Sequence, residues 1–270
     1  MTTRLWVLGS GSEGNAFAVG AHDQVLLIDA GFSAKETRRR AELIGLDLAQ
    51  VKGIVLTHEH GDHTSGAARL AQTLGIPILT APGTWSRLRL RMPTARHIPL
   101  ALMGGIRHGC FQIETCLISH DAAEPIAILI SSDEGHRIGI AYDLGRPTTS
   151  VRYLLRHCHA LIVEANHDEF RLRTSDYPPV VQQRIAGSTG HLSNRAAAQL
   201  LAQLCHPGLS TVVLAHLSAH CNSEAEARAE IWPALIAEGY AGELHVALQD
   251  RPAGPFNLVR LSREGVLPLF

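Results

Sequence analysis

Short apolar runs alternate along the chain with turns rich in glycine, aspartate and asparagine. Apolar runs of about four to eight residues bounded by such turns are typical of strands. The start of the chain is therefore predicted to be β-rich, and helices and strands are predicted to alternate after it. The predicted strands are 5–8, 16–19, 25–28, 54–56, 76–79, 111–119, 126–131, 138–141, 161–163, 211–215, 245–248 and 257–261.

Segments between these runs have the spacing and capping residues of helices. The first begins with Ser33-Ala-Lys-Glu36, a capping box in which the serine and glutamate side chains bind backbone N–H groups of the first turn. A second capped helix is predicted to begin at Ser223. The predicted helices run from 33 toward 45, over 65–74, 84–91, 150–158, 180–185 and 193–204, and from 223 onwards.

The two halves of the chain repeat one plan, in which strands are accompanied by helices. This pattern predicts an α/β protein with mixed sheets, since each sheet must bury one face against another layer. The chain has 270 residues, of which 46% are hydrophobic, enough for one large domain or two small ones. No linker or repeat divides the sequence, so a single domain over residues 1–270 is predicted.

Composition excludes several classes of protein. The net charge of −1 disfavours a large basic surface for nucleic acid but leaves room for a local patch. The start of the chain lacks the features of a signal peptide, and no apolar stretch approaches the ~20 residues that span a bilayer. We expect a cytoplasmic protein without a membrane partner. Its cysteines form no CxxC pair and are expected to be buried thiols: Cys110, Cys116, Cys158, Cys205 and Cys221.

A dense group of metal-binding side chains follows the apolar run 51–56. The sequence Thr57-His-Glu-His-Gly-Asp-His63 places three imidazoles and two carboxylates at the end of a predicted strand. Imidazole and carboxylate ligands suit zinc and manganese, and an HxHxDH turn can direct its side chains at two adjacent ions. A cysteine-rich structural zinc site is the main alternative, and the chain does not supply one.

Three more polar residues stand where apolar strands are predicted to end. They are His120 after 111–119, Asp143 after 138–141, and His216 after 211–215. Residues at strand ends gather at one edge of a sheet. With the first group they supply enough ligands for two ions bridged by one carboxylate; the candidate ligands are His58, His60, Asp62, His63, His120, Asp143 and His216.

A further motif favours another interpretation at first sight. The stretch 9–14 satisfies GxGxxG, but a predicted strand follows it where a dinucleotide site needs a helix. Its glycines are expected to form a turn whose N–H groups, with Ser10, Ser12 or Asn15, approach a phosphate. Asp29 closes a predicted strand, and two roles stay open for it: support of the ligand turn, or capping of a loop.

Together these motifs resemble the metallo-β-lactamase-fold superfamily, in which HxHxDH, a later histidine, an aspartate and a last histidine line a dinuclear centre between two sheets. The resemblance implies a four-layer αββα sandwich. By the same resemblance, the first metal ion would be held by His58, His60 and His120, the second by Asp62, His63 and His216, and Asp143 would bridge the two.

Finer detail resembles one branch of that superfamily, the YycJ/WalJ-type members, described as DNA exonucleases acting from 5′ ends. A β-lactamase is disfavoured, because lactamases use other ligands in the second site and lack two of the matching segments. The matching segments are 9–15, 27–31, 119–125, 163–168, 190–194 and 214–218.

Glu164 and His191 are similar to motifs of the β-CASP nucleases, in which an acidic residue supports a histidine that faces the scissile phosphate. The stretch between Asp143 and His191 is too short for the extra domain that β-CASP enzymes insert. The resemblance therefore implies catalytic roles for Asp62, Asp143, Glu164 and His191 without the β-CASP substrate clamp. His191 would also contact the substrate phosphate.

The expected function is a 5′-to-3′ DNA exonuclease that uses two divalent ions, zinc or manganese, and a bridging hydroxide. The expected partner is nucleic acid, at DNA ends. One alternative is a small-molecule metallohydrolase acting on a thioester, lactone or cyclic phosphodiester. Another is a non-catalytic metal-binding partner of a DNA replication or repair assembly. The metal, DNA versus RNA, and the oligomeric state, including a weak homo-oligomer, stay open.

Overall fold

Two seven-stranded sheets lie face to face in the computed structural model, which describes residues 2–258. The first sheet has the strand order β14-β1-β2-β3-β4-β5-β6. Its strands are β1 (Arg4–Gly9), β2 (Ala16–Ala21), β3 (Gln24–Ile28), β4 (Val51–Val55), β5 (Ile78–Thr80), β6 (His97–Pro99) and β14 (Ala253–Asn257).

The second sheet has the order β13-β12-β11-β10-β9-β8-β7. Its strands are β7 (Gly105–His108), β8 (Phe111–Leu117), β9 (Ile126–Ser132), β10 (Arg137–Ala141), β11 (Ala160–Glu164), β12 (Thr211–Ala215) and β13 (Glu243–Val246).

The helices are short and are joined to the strands by tight loops. A one-turn 3-10 helix, Leu48–Gln50, precedes β4. The helices are α1 (Ala34–Leu43), α2 (Gly61–Thr64), α3 (Ala67–Leu74), α4 (Pro82–Leu88), α5 (Thr149–Leu154), α6 (Glu169–Thr174), α7 (Pro179–Ala186), α8 (Asn194–Leu204) and α9 (Glu224–Ala237).

Alternation along the strands divides the core into layers. On β1, Leu5 and Val7 join the cluster between the sheets, whereas Trp6 and Leu8 join the cluster beneath α1 and α3. On the other side, α5, α8 and α9 cover the outer face of the second sheet. Because successive side chains of a strand point to opposite faces, an apolar strand can serve two layers at once. The result is the αββα sandwich that the sequence resemblance implied.

The strands that carry the candidate ligands run in parallel. β3, β4 and β5 are parallel neighbours in one sheet, and β10, β11 and β12 are parallel neighbours in the other. Their carboxyl ends therefore lie at one edge of each sheet, where ligand sites of α/β proteins form. Loops from both sheets meet there.

Several predicted boundaries shift. The helix predicted at 65–74 begins two residues later, at Ala67, because Gly66 N–H donates to Ala30 O and not to a helical carbonyl group. The predicted helix 84–91 begins earlier, since Pro82 occupies its first turn, a favoured place for proline. The predicted strand 245–248 lies two residues earlier, as β13. Of the predicted strand 257–261, only Asn257, which ends β14, and Leu258, which follows it, lie within the described residues.

Other elements were not predicted from the sequence. The strands β6 and β7 and the helix α6 lack a regular spacing of apolar residues. β6 and β7 have no buried residue, and α6 buries Leu172 alone. Ser33 caps α1 as predicted, accepting from Glu36 N–H. The Glu36 carboxylate, however, binds Arg39 and Arg40. No helix within residues 2–258 has both the length and the apolar character to cross a membrane.

Candidate metal centre

The site residues stand on strand ends with unusual backbone geometry. Asp29, Asp143 and His216 each follow a strand and have positive φ angles of 57°, 54° and 57°. Non-glycine residues rarely adopt this left-handed conformation, and aspartate and histidine tolerate it better than most. Such strain persists where the surrounding structure holds it, and it is frequent at functional sites. The left-handed conformation turns the side chains of Asp29, Asp143 and His216 inward at the sheet edge.

Three imidazoles converge on one point. His58 Nε2 lies 3.0 Å from His60 Nδ1, and His120 Nε2 lies 3.3 Å from the same His60 atom. His58 follows β4, whereas His120 comes from the loop between β8 and β9 in the other sheet. These three residues could hold a metal ion.

A second group lies beside the first. Asp62 Oδ2 is 3.2 Å from His63 Nε2 and 3.4 Å from His216 Nε2. Asp62 and His63 belong to α2, which places both directly after the turn that carries His60. These three residues form another group that could hold an ion.

Asp143 lies between the two groups and is only 2% exposed. Its Oδ1 atom is 3.4 Å from His216 Nε2 and 4.0 Å from His120 Nε2. Its Oδ2 atom is buried and accepts no well-formed hydrogen bond within residues 2–258, although His63 Nε2 lies at 2.9 Å. An imidazole nitrogen and a carboxylate oxygen this close are held together by a positive charge, which either a proton on His63 or a metal ion can supply.

Hydrogen bonds behind the rings fix which nitrogen faces inward. His63 Nδ1 donates to Asp29 Oδ2 at 2.6 Å, and His58 Nδ1 lies 3.1 Å from Thr57 Oγ1. The Thr57 hydroxyl itself donates to Asp29 at 2.8 Å. With Nδ1–H engaged, each ring presents the Nε2 lone pair to the site, as metal-binding histidines do.

The other half of the site has the same arrangement. His120 Nδ1 lies 3.4 Å from Gly190 O, and His216 Nδ1 lies 3.3 Å from Glu164 Oε1. Both rings thus turn Nε2 inward. His60 is the exception, since its Nδ1 atom points at the other two imidazoles.

The spacing of these atoms fits a bound ion. Zinc binds histidine nitrogen at about 2.0–2.1 Å with tetrahedral geometry, so two ligand atoms of one ion lie ~3.3 Å apart. The first group has separations of 3.0 and 3.3 Å, and the second has 3.2 and 3.4 Å. The donor set, the lone pairs and the unpaired Asp143 oxygen therefore fit divalent metal ions.

Asp29 supports the ligand turn, which decides between the two roles left open for it. Its side chain is fully buried and accepts from Thr57 N–H at 2.8 Å and from Tyr142 OH at 2.7 Å, besides His63 and the Thr57 hydroxyl. Gly31 lets this segment approach α2, because a Cβ atom there would overlap the Asp62 carbonyl group. Sequence reasoning missed Tyr142.

Glu164 and His191 form a pair at the edge of the site. His191 Nδ1 donates to Glu164 Oε1 at 2.7 Å, and Glu164 Oε2 accepts from Leu144 N–H at 2.7 Å and Leu192 N–H at 3.0 Å. Glu164 is fully buried at the end of β11. The His191 side chain is 24% exposed and lines a cleft over the candidate ligands. Its Nε2 atom makes no hydrogen bond within residues 2–258.

The negative charge of Glu164 and the positive charges that the neighbouring histidines can carry stabilise each other. Burial opposes ionisation of Glu164, but the charge of His191 and the hydrogen bonds from His191 and His216 lower the pKa of the carboxyl group to about 2. Burial also opposes protonation of His216, yet Asp143, Asp62 and Glu164 raise its pKa to about 10. The carboxylates thus attract positive charge, which protons or metal ions can supply.

The loop 10–15 lies beneath the cleft. Ser10 Oγ donates to Asn15 Oδ1 at 2.7 Å and accepts from His216 N–H at 2.8 Å. Asn15 Nδ2 is 3.4 Å from Asp62 Oδ2 and 3.1 Å from His63 Nε2. Both residues are buried, whereas Ser12 is exposed and lines the cleft. β2 follows this loop, so the dinucleotide interpretation is excluded structurally as well.

Helix α7 forms a wall of the cleft over the candidate ligands. This helix was not predicted from the sequence to be part of the site. The cleft has a volume of about 340 Å³. Sequence reasoning placed a helix here but assigned none of its residues to the site, since their chemistry is unremarkable in isolation. The newly found lining residues are Asp121, Asn166, Tyr177, Val181, Arg184, Ile185 and Ser218.

Residues 9–176 match the Metallo-beta-lactamase superfamily. The match spans more than half of the chain and includes the HxHxDH turn, Asp143 and Glu164. The chain belongs to the metallo-beta-lactamase superfamily.

Two curated members of the metallo-beta-lactamase superfamily are similar over most of their length. Exodeoxyribonuclease YycJ of Bacillus anthracis is 31% identical over 246 residues, which cover 88% of this chain and 93% of the relative. Exodeoxyribonuclease WalJ of Streptococcus pneumoniae serotype 2 (strain D39) is 29% identical over 221 residues, covering 80% and 82%. This superfamily member is therefore a hydrolase of the YycJ/WalJ branch.

A solved structure supports the same fold. The metallo-beta-lactamase fold protein YhfI of Bacillus subtilis superposes with a TM-score of 0.71 at 17% identity. The superposition covers 94% of this chain and 99% of YhfI. The αββα arrangement of the metallo-beta-lactamase superfamily is thus confirmed for this chain.

Proposed function

We propose that this protein is a metal-dependent DNA exonuclease that removes nucleotides from 5′ ends. The observation that carries the proposal is the His191–Glu164 pair beside two groups of metal-binding residues. A hydrolase that acts only through its ions has no need of a histidine held at 2.7 Å by a buried carboxylate and turned toward the cleft. Phosphodiester cleavage uses such a group on the departing oxygen.

His58, His60 and His120 would hold one divalent ion, and Asp62, His63 and His216 would hold a second. Asp143 would contact both, because its two oxygens face both groups. Zinc and manganese both accept this ligand set. When bound, such ions lower the pKa of a water molecule and neutralise charge on a phosphoryl oxygen.

The protein groups have separate tasks in this proposal. Asp62 and Asp143 orient the attacking water through their free lone pairs. His191 carries protons on both ring nitrogens, so its Nε2–H group donates a hydrogen bond to the scissile phosphate and gives its proton to the departing 3′-oxygen. The proton lost by the attacking water passes to solvent. Glu164 keeps the Nδ1 proton of His191 in place, so that Nε2 is the atom that faces the substrate.

Other groups along the cleft contact the substrate. Ser12 is the exposed hydroxyl at the start of the molecule, beside the candidate ligands. Ser10 and Asn15 act from beneath, by holding His216 and Asp62. The DNA specificity is supported by the two exodeoxyribonucleases that are similar over most of the chain.

A substrate panel tests this proposal. Single-stranded DNA, duplex DNA, the matching RNA, a chromogenic phosphodiester and a chromogenic thioester are offered with Mn²⁺ or Zn²⁺, before and after chelation. The proposal predicts metal-dependent loss of nucleotides from DNA, abolished in Asp62→Asn. Turnover of the thioester with no cleavage of nucleic acid would instead favour a small-molecule hydrolase. Metal binding without any turnover would favour a scaffold.

A further inference from the structure

One arginine stands on the wall of the cleft that holds the candidate metal centre. Among the described residues lining this cleft, Arg184 is the one arginine or lysine. A nucleic-acid strand carries a charge on every phosphate, and proteins position such strands by contacts to phosphates. We propose that Arg184 binds the phosphate next to the scissile one. This inference rests on the proposed nuclease function.

The helix that carries Arg184 is tied to the cleft at its carboxyl-terminal end. There, Ser119 Oγ donates to Ser188 O at 2.6 Å, and His191 N–H donates to Ile185 O at 2.8 Å. A bond from Gln182 Nε2 to Tyr177 O at 2.9 Å joins α7 to the residues just before it. Helix α7 has no buried residue, so packing against a core does not explain its position. The backbone of Arg184 is thus next to Ile185, whose carbonyl oxygen accepts a hydrogen bond from His191 N–H.

Arg184 forms an ion pair with Asp121 that another anion can replace. Its Nε and Nη2 atoms both donate to a single oxygen of Asp121, Oδ2, at 3.0 and 2.6 Å. The Arg184 side chain is 72% exposed and that of Asp121 is 36% exposed. Exposed ion pairs of this kind are weak, whereas a phosphate can accept the whole guanidinium fork through two oxygens. An arriving phosphate can therefore replace Asp121.

Asp121 also links the pair to the metal centre. Its second oxygen, Oδ1, lies 3.4 Å from His120 Nε2. Asp121 thus holds the guanidinium close to the scissile position while the cleft is free of substrate. Once a phosphate has taken Arg184, the Asp121 carboxylate repels that phosphate. The two residues should then affect substrate binding in opposite directions.

A purely structural role makes a different prediction. If the ion pair served only to fasten α7 to the loop 118–125, removing either partner would break the same contact. Arg184→Ala and Asp121→Asn would then change the kinetics equally. If Arg184 binds phosphate, Arg184→Ala weakens binding, while Asp121→Asn releases the guanidinium and removes a repulsive charge.

The test compares kcat and KM for a 5′-phosphorylated single-stranded DNA at several salt concentrations, with the metal content of each protein measured. Arg107→Ala is the matched control, because Arg107 forms an exposed pair with Asp133 at 2.7 Å and does not line the cleft. Arg184→Ala should raise KM about tenfold or more. The slope of log KM against log salt should fall by about 0.7, the value for one phosphate contact on a single strand.

Asp121→Asn should leave KM unchanged or lower it, and Arg107→Ala should behave as wild type. Equal increases of KM in Arg184→Ala and Asp121→Asn would overturn the inference in favour of a structural fastening. If Asp121→Asn loses metal, the salt slope decides, and an unchanged slope in Arg184→Ala overturns the inference. A wild-type protein that cuts no nucleic acid would refute the proposed function itself, which is a separate result.

Discussion

His191 donates its Nδ1 proton to Glu164 Oε1 at 2.7 Å, and the same oxygen lies 3.3 Å from His216 Nδ1. One buried carboxylate therefore orients both a candidate metal ligand and the histidine that faces the cleft. The ring planes of His191 and His216 are nearly parallel, with centroids 5.1 Å apart. The histidine proposed for catalysis and a candidate metal ligand are thus joined through Glu164, although they come from separate loops.

Removing His191 should separate catalysis from metal binding. His191→Ala is expected to lower kcat by about 10²–10⁴-fold, the usual contribution of a general acid or base. The metal content should stay unchanged, since the proposed ligand groups are complete without this ring. The measurements are single-turnover cleavage of DNA and metal analysis of the purified protein.

His245→Ala is a suitable control, because His245 lies on β13, stacked on Phe256, and does not line the cleft. It should retain wild-type activity. Loss of an ion from His191→Ala would assign His191 as a ligand and remove it from the proposed role in proton transfer.

Replacing Asp29 should weaken metal binding, although Asp29 is not itself a proposed ligand. Asp29→Asn removes the carboxylate that accepts from His63 and from the Thr57 hydroxyl. Loss of such support typically costs about 10–100-fold in metal affinity. Competition with a chelator of known affinity measures the change.

Tyr142→Phe is the matched control for Asp29→Asn. It removes one hydrogen bond to Asp29 and keeps the ring that stacks on Phe17. Its metal affinity should fall far less than that of Asp29→Asn. An Asp29→Asn protein with wild-type metal affinity would refute the supporting role of this carboxylate.

Gly31 should be intolerant of any side chain. In Gly31→Ala, the new Cβ would overlap the Asp62 carbonyl group and push α2 away from the site. Overpacking of this kind costs about 1–3 kcal/mol in the free energy of unfolding. Gly61→Ala is the control, since the nearest atom to a Cβ there is Ser65 Oγ at 3.8 Å. Equal unfolding midpoints in denaturant for the two variants would contradict this explanation.

An acid-sensitive ion pair is predicted on helix α1. The hydrogen bonds from Arg39, followed by those from Arg40, outweigh desolvation and lower the pKa of Glu36 from 4.5 to about 2. A lowered carboxyl pKa stabilises the fold above the unfolded pKa, and the stabilisation is lost as pH falls from 4.5 toward 2.

Glu36→Gln should therefore reduce the free energy of unfolding at neutral pH by about 0.2–1 kcal/mol, the range for exposed pairs. The difference from wild type should shrink as the pH is lowered below the unfolded pKa. Denaturant unfolding of both proteins over this range gives the measurement. A difference that is constant with pH would show that the pair contributes no charge-dependent stability.

Much of the fold follows from local sequence signals. The strands of the two sheet centres are continuous apolar runs such as β9 and β12, and the ligand turn is a contiguous motif behind β4. The edge strands β6 and β7 lack such signals, because their residues are half exposed and their pairing depends on neighbouring strands. Whether an edge segment forms a strand depends on tertiary contacts, which a local sequence pattern does not contain.

The candidate site was less completely predictable. The candidate ligands that the structure brings together could be named from the sequence, since each follows an apolar strand or lies in the HxHxDH turn. Tyr142 and Arg184 could not, because their roles arise from contacts with Asp29 and Asp121 that are distant in sequence. The buried positions of Ser10 and Asn15 also depend on how their loop folds beneath the ligands.

The most direct test of the proposed exonuclease is digestion of DNA with defined ends. A linear duplex with 5′-phosphates and a label at one 3′ end, and a closed circle of the same sequence, are treated with wild type or Asp62→Asn in the presence of Mn²⁺. The account predicts a ladder of 3′-labelled strands that shorten stepwise from the 5′ end, an intact circle, and no digestion by Asp62→Asn. Cleavage of the circle, early release of the 3′ label, or an active Asp62→Asn protein would contradict it.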